Sequence, residues 1–154
     1  MEANVFVSKA RKVIDKCSYE FYVVNTDQEV KCSCTMMASN QSDPRCPKCL
    51  GTGYRIIIRK GKGASGDELK GASTLGARSS RVIKNYFIKD GFVPNEKDLI
   101  VDNSEIFYVH RVQRRRSIEG IYSHSEIVAA KLTNAHDEVL NNFNNIINKH
   151  RKSK

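Results

Sequence analysis

The sequence predicts an α+β fold: a small antiparallel β-sheet or partly open β-barrel with a four-cysteine knuckle, an N-terminal helix, a C-terminal helix and a long basic loop. Three observations predict it. Apolar residues recur with a 3.6-residue period at both ends of the chain. Between them lie several short β-branched and aromatic runs separated by turn residues, the pattern of a small antiparallel sheet or barrel. Four of the five cysteines fall within residues 32–49, at a spacing that suits one metal ion.

Each element follows in order. Over residues 4–17, Phe6, Ala10, Val13, Ile14 and Cys17 make one apolar stripe on an amphipathic helix, and Cys17 reads as a free, buried thiol. Tyr19–Val24 reads as a strand centred on Phe21-Tyr22-Val23-Val24, and Tyr54–Arg59 as a second, stronger one. Lys60-Gly61-Lys62-Gly63-Ala64-Ser65-Gly66 and the small polar residues up to Ser80 have no periodicity and predict a long basic loop. Strands are expected again at Arg81–Ile88, Asp98–Asp102 and Glu105–Gln113. In the last, Phe107, Val109 and Arg111 fall on one face, and Ile106, Tyr108, His110 and Val112 on the other. Ile121-Tyr122 begins a further strand and Ser125–Leu132 forms the last. Val139, Phe143, Ile146, Ile147 and His150 then stripe a C-terminal helix. The chain thus divides as a single domain, 1–154, with a knuckle insertion at 32–54, a basic loop at 60–80, a β-body at 81–132 and a helix at 133–150.

The cysteines are spaced Cys32-x-Cys34, eleven residues, Cys46-x2-Cys49. Thiolates are soft donors, and four of them satisfy a tetrahedral zinc ion completely. One structural Zn2+ on Cys32, Cys34, Cys46 and Cys49 is the expectation. A saturated shell leaves no open position for water and argues against catalysis at the metal. Arg45 and Lys48 are placed to offset part of the charge, and Gly51 and Gly53 let the chain fold back on the thiolates.

The net charge is +9, unevenly spread: residues 55–91 hold nine Lys or Arg against three Asp or Glu, whereas residues 1–31 balance. Such a segment suits a polyanion, an acidic protein partner, or simply a solvated loop. Lys60, Lys62, Arg78, Arg81 and Lys84 are the candidate contacts, with Arg114, Arg115 and Arg116 at the end of a strand as a second group. No apolar run reaches the roughly 18–20 residues that span a bilayer, and the N-terminus lacks a signal-peptide pattern. A reducing cytoplasm as the place of synthesis, and no membrane partner, are expected; there, cysteines favour metal or free thiols over disulfides.

The block Cys46-Pro47-Lys48-Cys49-Leu50-Gly51-Thr52-Gly53-Tyr54 resembles two known patterns. One is the Cys-x-x-Cys-x-Gly-x-Gly repeat of DnaJ-type co-chaperones, which carry several copies and a His-Pro-Asp motif. This chain has one copy and no His-Pro-Asp. The other covers residues 5–132: an N-terminal helix, Cys-x-Cys, the Asp43-Pro44-Arg45-Cys46 to Tyr54 block, then Asn95–Val101 and Ile106–Val112. That order resembles neck, head-completion and head–tail connector proteins of tailed bacteriophages. The resemblance implies a structural virion subunit in a homo-oligomeric ring. Its partners would be portal, adaptor or tail subunits, with contact to packaged DNA. The alternative is a nucleic-acid-binding zinc ribbon of a transcription or replication accessory factor. Against it, the inter-knuckle loop holds Arg45 as its one basic residue. No catalytic constellation is recognised around His110, His124, His136 or His150. Gly61-x-Gly63-x-x-Gly66 lacks the helix and the acid that a dinucleotide site needs, and the protein is not expected to be an enzyme.

Overall fold

The computed structural model describes residues 2–36, 39, 41–67, 83–133 and 135–152. Its elements are α1 (Glu2–Cys17), β1 (Tyr19–Lys31), β2 (Tyr54–Asp67), β3 (Ile83–Ile88), β4 (Leu99–Asp102), β5 (Glu105–Arg116), β6 (Tyr122–Lys131) and α2 (His136–Lys152). The six strands are antiparallel and close on themselves in the order β1-β2-β3-β6-β5-β4. Alternation along each strand sends one set of side chains inward and the other outward. Phe21, Val23, Tyr86, Ile88, Ile100, Phe107, Val109, Ile127 and Ala129 fill the barrel. Tyr86 sits between two other rings, its centroid 5.1 Å from Phe21 and 6.1 Å from Phe107.

A second apolar cluster lies on the outside of the barrel. Val24, Leu99, Val101 and Ile106 face outward there and are covered by Val139 and Phe143 of α2. The Phe143 ring meets Tyr22 edge-on at 5.5 Å. Acidic Asp137 and Glu138 in the first turn of α2, and basic Lys149 to Lys152 in its last, complement the helix dipole.

Several expectations are corrected. The stretch from Lys60 to Asp67 is not loop but the second half of β2, paired with β1 and then β3. The glycines that suggested a loop are there for close approach. A Cβ on Gly61 would lie 2.8 Å from the Phe21 ring, and one on Gly63 only 2.7 Å from the Phe87 carbonyl oxygen. The remainder of the expected loop, from residue 68 to 80, lies outside the described residues. Gly63→Ala is therefore expected to destabilise the protein by ~2–3 kcal/mol through overpacking. Gly66→Ala, whose nearest neighbour would be 3.7 Å away, should be close to neutral. Equal denaturation midpoints for the two variants would refute this account.

In β5 the register shifts between Val109 and Arg111, leaving His110 as the extra residue of a bulge. The faces exchange at that point, so Val112 joins Phe107 and Val109 on the barrel core instead of opposing them. Residues 122–131 form one strand, β6, not two. α1 is also rotated from the expected phase: Val7 and Ile14 are its buried residues, while Phe6 and Val13 are exposed. Cys17 is exposed rather than buried. Arg11 anchors the helix, donating to the Ser123 carbonyl at 2.8 Å and to Asp90 at 2.6 Å.

Candidate metal centre

The knuckle is the connection of the β1–β2 hairpin. Lys31 pairs with Tyr54, so Cys32 leaves the end of one strand and the Gly51-Thr52-Gly53 turn enters the start of the next. The Cys32 amide donates to the Gly53 carbonyl at 2.9 Å, closing the base of the loop. Thr35 Oγ1 donates to the same carbonyl at 2.8 Å, and Thr52 Oγ1 to the Cys49 carbonyl at 2.7 Å. Asp43 accepts from the Arg45 amide at 2.9 Å, which turns the chain into the second cysteine pair. Gly51 has φ +82°, and a Cβ there would lie 2.8 Å from the Pro44 carbonyl oxygen. No other residue fits that turn without strain.

These turns bring Cys32, Cys34, Cys46 and Cys49 together, with all four sulfurs within 4.8 Å of one another. The close approaches cross between the two pairs: Cys32 to Cys46 at 3.8 Å and Cys34 to Cys49 at 3.5 Å. Sulfurs ~2.3 Å from a central ion at tetrahedral angles lie about 3.8 Å apart, so the group is positioned to bind one metal ion. The Gly53 amide points at Cys49 Sγ, 3.4 Å away, and helps to offset thiolate charge.

Burial pushes the metal-free Cys49 thiol up to about 12, aided by the neighbouring Cys34 and Cys46 thiols and opposed by the Gly53 and Gly51 amides. Burial also acts to raise Cys34, more than offsetting its hydrogen bonds with the Asp43 backbone and Cys49. For Cys32, burial is outweighed by the Cys34 amide and the surrounding thiols, and the group falls to about 7. Protons on Cys34 and Cys49 must thus be displaced by the ion at neutral pH. Metal affinity is expected to rise with pH, with proton release on binding. Calorimetric titration in buffers of different ionisation enthalpy would measure it, and a pH-independent affinity would contradict it.

The knuckle is docked, not free. Leu50 is buried in the outer apolar cluster and adopts a left-handed φ of 54°, held by its amide bond to the Cys46 carbonyl at 3.0 Å. Arg45 does not face the thiolates as expected. Its guanidinium lies 3.6 Å from Glu138 of α2, and its carbonyl accepts from Asn142 at 3.2 Å.

Of the expected basic contacts, the structure describes Lys60, Lys62, Lys84, Arg114, Arg115 and Arg116. Lys60 and Lys62 are exposed on β2, and Arg114, Arg115 and Arg116 are exposed at the end of β5, which is not adjacent to β2 in the barrel. Arg115 is paired with Glu126 at 2.9 Å. Arg78 and Arg81 lie outside the described residues. Lys84 turns to Asp102 instead of outward, at 2.9 Å, with its ammonium 5.4 Å from the centre of the Phe107 ring.

That Asp102 centre was not anticipated. Its Oδ2 accepts from Tyr19 at 2.6 Å, Tyr86 at 2.9 Å and Lys84, and Tyr19 also bonds to Ser65 at 2.8 Å. In the sequence, Asp102 stands before Asn103-Ser104 and looks like an ordinary turn residue. Asp98 is likewise buried, accepting from Thr26 and Asn25 and from the Asn95 amide.

Comparison with known protein-family models gives no match for this chain, and neither does comparison with curated protein sequences.

Proposed function

We propose that the protein is a structural subunit of a tailed-phage virion, one copy of a homo-oligomeric ring in the head–tail connector or neck, and that its four cysteines hold one structural Zn2+. The observation that carries this reading is the outward face of α1. Phe6 is 70% exposed and Val13 63%, two turns apart on one face, although Val7 and Ile14 on the adjoining side of the helix are already packed. Apolar side chains gathered in this way on one helix face suit burial against a neighbouring subunit. The Cys46–Tyr54 block, with its likeness to neck and connector proteins, supports a virion as the setting. Against the alternative of a nucleic-acid-binding zinc ribbon, the loop between the two cysteine pairs carries Arg45 as its one basic residue. Four soft thiolates at tetrahedral separations favour zinc; iron at such a site would colour the protein.

Phe6→Glu and Val13→Glu are expected to abolish ring formation, or uptake into particles, while leaving the melting temperature nearly unchanged. Light scattering and electron microscopy of the purified protein would read the first effect. A monomer that binds short DNA in a steeply salt-dependent manner, indifferent to both substitutions, would overturn the virion reading in favour of the nucleic-acid one.

A further inference from the structure

β2 is paired on one side along its first part and on the other along its last. β1 pairs with it from Tyr54 to Gly63, but β3 pairs only from Ala64 to Asp67. Along the first part, every second residue directs its N–H and C=O away from β1. Among the described residues no strand receives those groups. Barrel closure removes an edge only where both neighbours are present, and the outer half of the β1–β2 hairpin projects beyond that region.

Beside this edge runs a groove of about 830 Å³. Five consecutive residues, Ile56 to Lys60, line it, so residues from both faces of β2 contribute to it. Tyr22, Ile146 and Ile147 give it an apolar floor, and Pro47 and Lys48 of the knuckle border it. Its charged lining residues are Lys48, Arg59, Lys60 and Arg151, and among the described residues no Asp or Glu lines it.

We propose that this groove captures an extended acidic segment of a partner protein, which adds to the edge of β2 that no described strand pairs with, as a further strand. Main-chain hydrogen bonds to β2 supply affinity independent of sequence. Alternation along the added strand then turns one set of its side chains, the carboxylates, to Lys48, Lys60 and Arg151 on the α2 side, and the other, apolar set to the face of β2 that carries Ile57. A nucleic-acid strand fits less well. The floor is aliphatic apart from Tyr22, whereas single strands need several rings to stack on. The metal-clamped knuckle has a part in this: it holds Pro47 and Lys48 beside the edge. The segment binds in this way whether or not the complex that supplies it is a virion.

The test uses the full-length, metal-loaded protein and a peptide of about ten residues alternating Glu with Val. Backbone amide shifts on adding peptide should centre on residues 56–60, with further shifts at Lys48, Ile147 and Arg151. The double variant K60E/R151E, altered at two exposed positions, should bind at least about tenfold more weakly. A peptide with the same side chains but alternate N-methyl amides on its pairing edge should lose binding, because it cannot complete the ladder. Equal binding of the N-methylated peptide, or shifts confined to other surfaces, would overturn the proposal. So would complete displacement by a short single-stranded DNA that the same double variant no longer binds, or self-association of the protein through residues 56–60. Failure of the ring variants above would leave these peptide results unaffected.

Discussion

Replacing Cys49 with Ser, or withdrawing the metal ion with a chelator, is expected to unfold residues 32–53 and lower stability by at least ~3 kcal/mol, while the barrel stays folded. Cys49 is fully buried, 3.5 Å from Cys34 and in contact with the Gly53 amide. A serine there offers a hard oxygen donor on a shorter side chain, and three thiolates no longer close the shell. Apart from the ion the knuckle is held by short turns, the Cys32–Gly53 closure, Leu50 in the outer cluster and the exposed Arg45–Glu138 pair. When it opens, Leu50 leaves the outer cluster; loss of a buried leucine alone costs ~2–5 kcal/mol. The strained left-handed backbone at Leu50 returns only a small part of that. For a domain of this size the melting temperature should fall by roughly 6–12 °C. Calorimetry reads the shift, and limited proteolysis should place new cuts within 32–53. An unchanged melting temperature with full metal loss would mean that the knuckle is not metal-dependent.

Asp102→Ala is expected to destabilise the protein by ~3–5 kcal/mol, and Asp102→Asn by somewhat less. The carboxylate is 2% exposed and receives three donors on one oxygen. Removing it leaves two tyrosine hydroxyls and an ammonium without their acceptor, and an uncompensated charge close to the core is the most expensive part of that loss. Lys84 keeps some access to water, which holds the figure below the fully buried limit. Burial acts to raise the Asp102 carboxyl, but hydrogen bonds from Tyr19, Lys84 and Tyr86 outweigh it and hold it below its ordinary range. The group therefore favours the folded state at neutral pH, and that contribution is lost as pH falls below the unfolded carboxylate value of ~3.9 and through the lower folded one. Wild-type stability should drop across that acid range, and Asp102→Asn should flatten the slope. A variant with the same acid dependence as the wild type would show that another group dominates. Burial likewise pushes the Tyr86 hydroxyl up, with the Asp102 charge adding to the effect, so it remains a donor across the whole working range.

Much of the architecture is legible in the residues alone because it depends on local pattern. Cysteine spacing defines the ligand set, since a loop of eleven residues between two short pairs can converge on one ion with little strain. Strand positions follow from β-branched and aromatic runs, and α2 from its apolar stripe. Contacts between distant segments decided the rest. Gly61 and Gly63 carry the signature of a loop in isolation. They become strand because Phe21 and the Phe87 backbone pass too close for a side chain. The His110 bulge reverses the faces of β5 through its pairing with β6, which no alternation in β5 itself could signal. α1 has apolar residues on more than one side, and only its seat against the barrel selects Val7 and Ile14 for burial. Lys84 belongs to a basic stretch by sequence, yet Asp102, eighteen positions away, draws its ammonium inward and leaves it only partly exposed. Local spacing and periodicity thus determined the metal ligands and most elements. Closure of the barrel, a matter of long-range pairing and steric fit, decided which charges and apolar faces remain available to a partner.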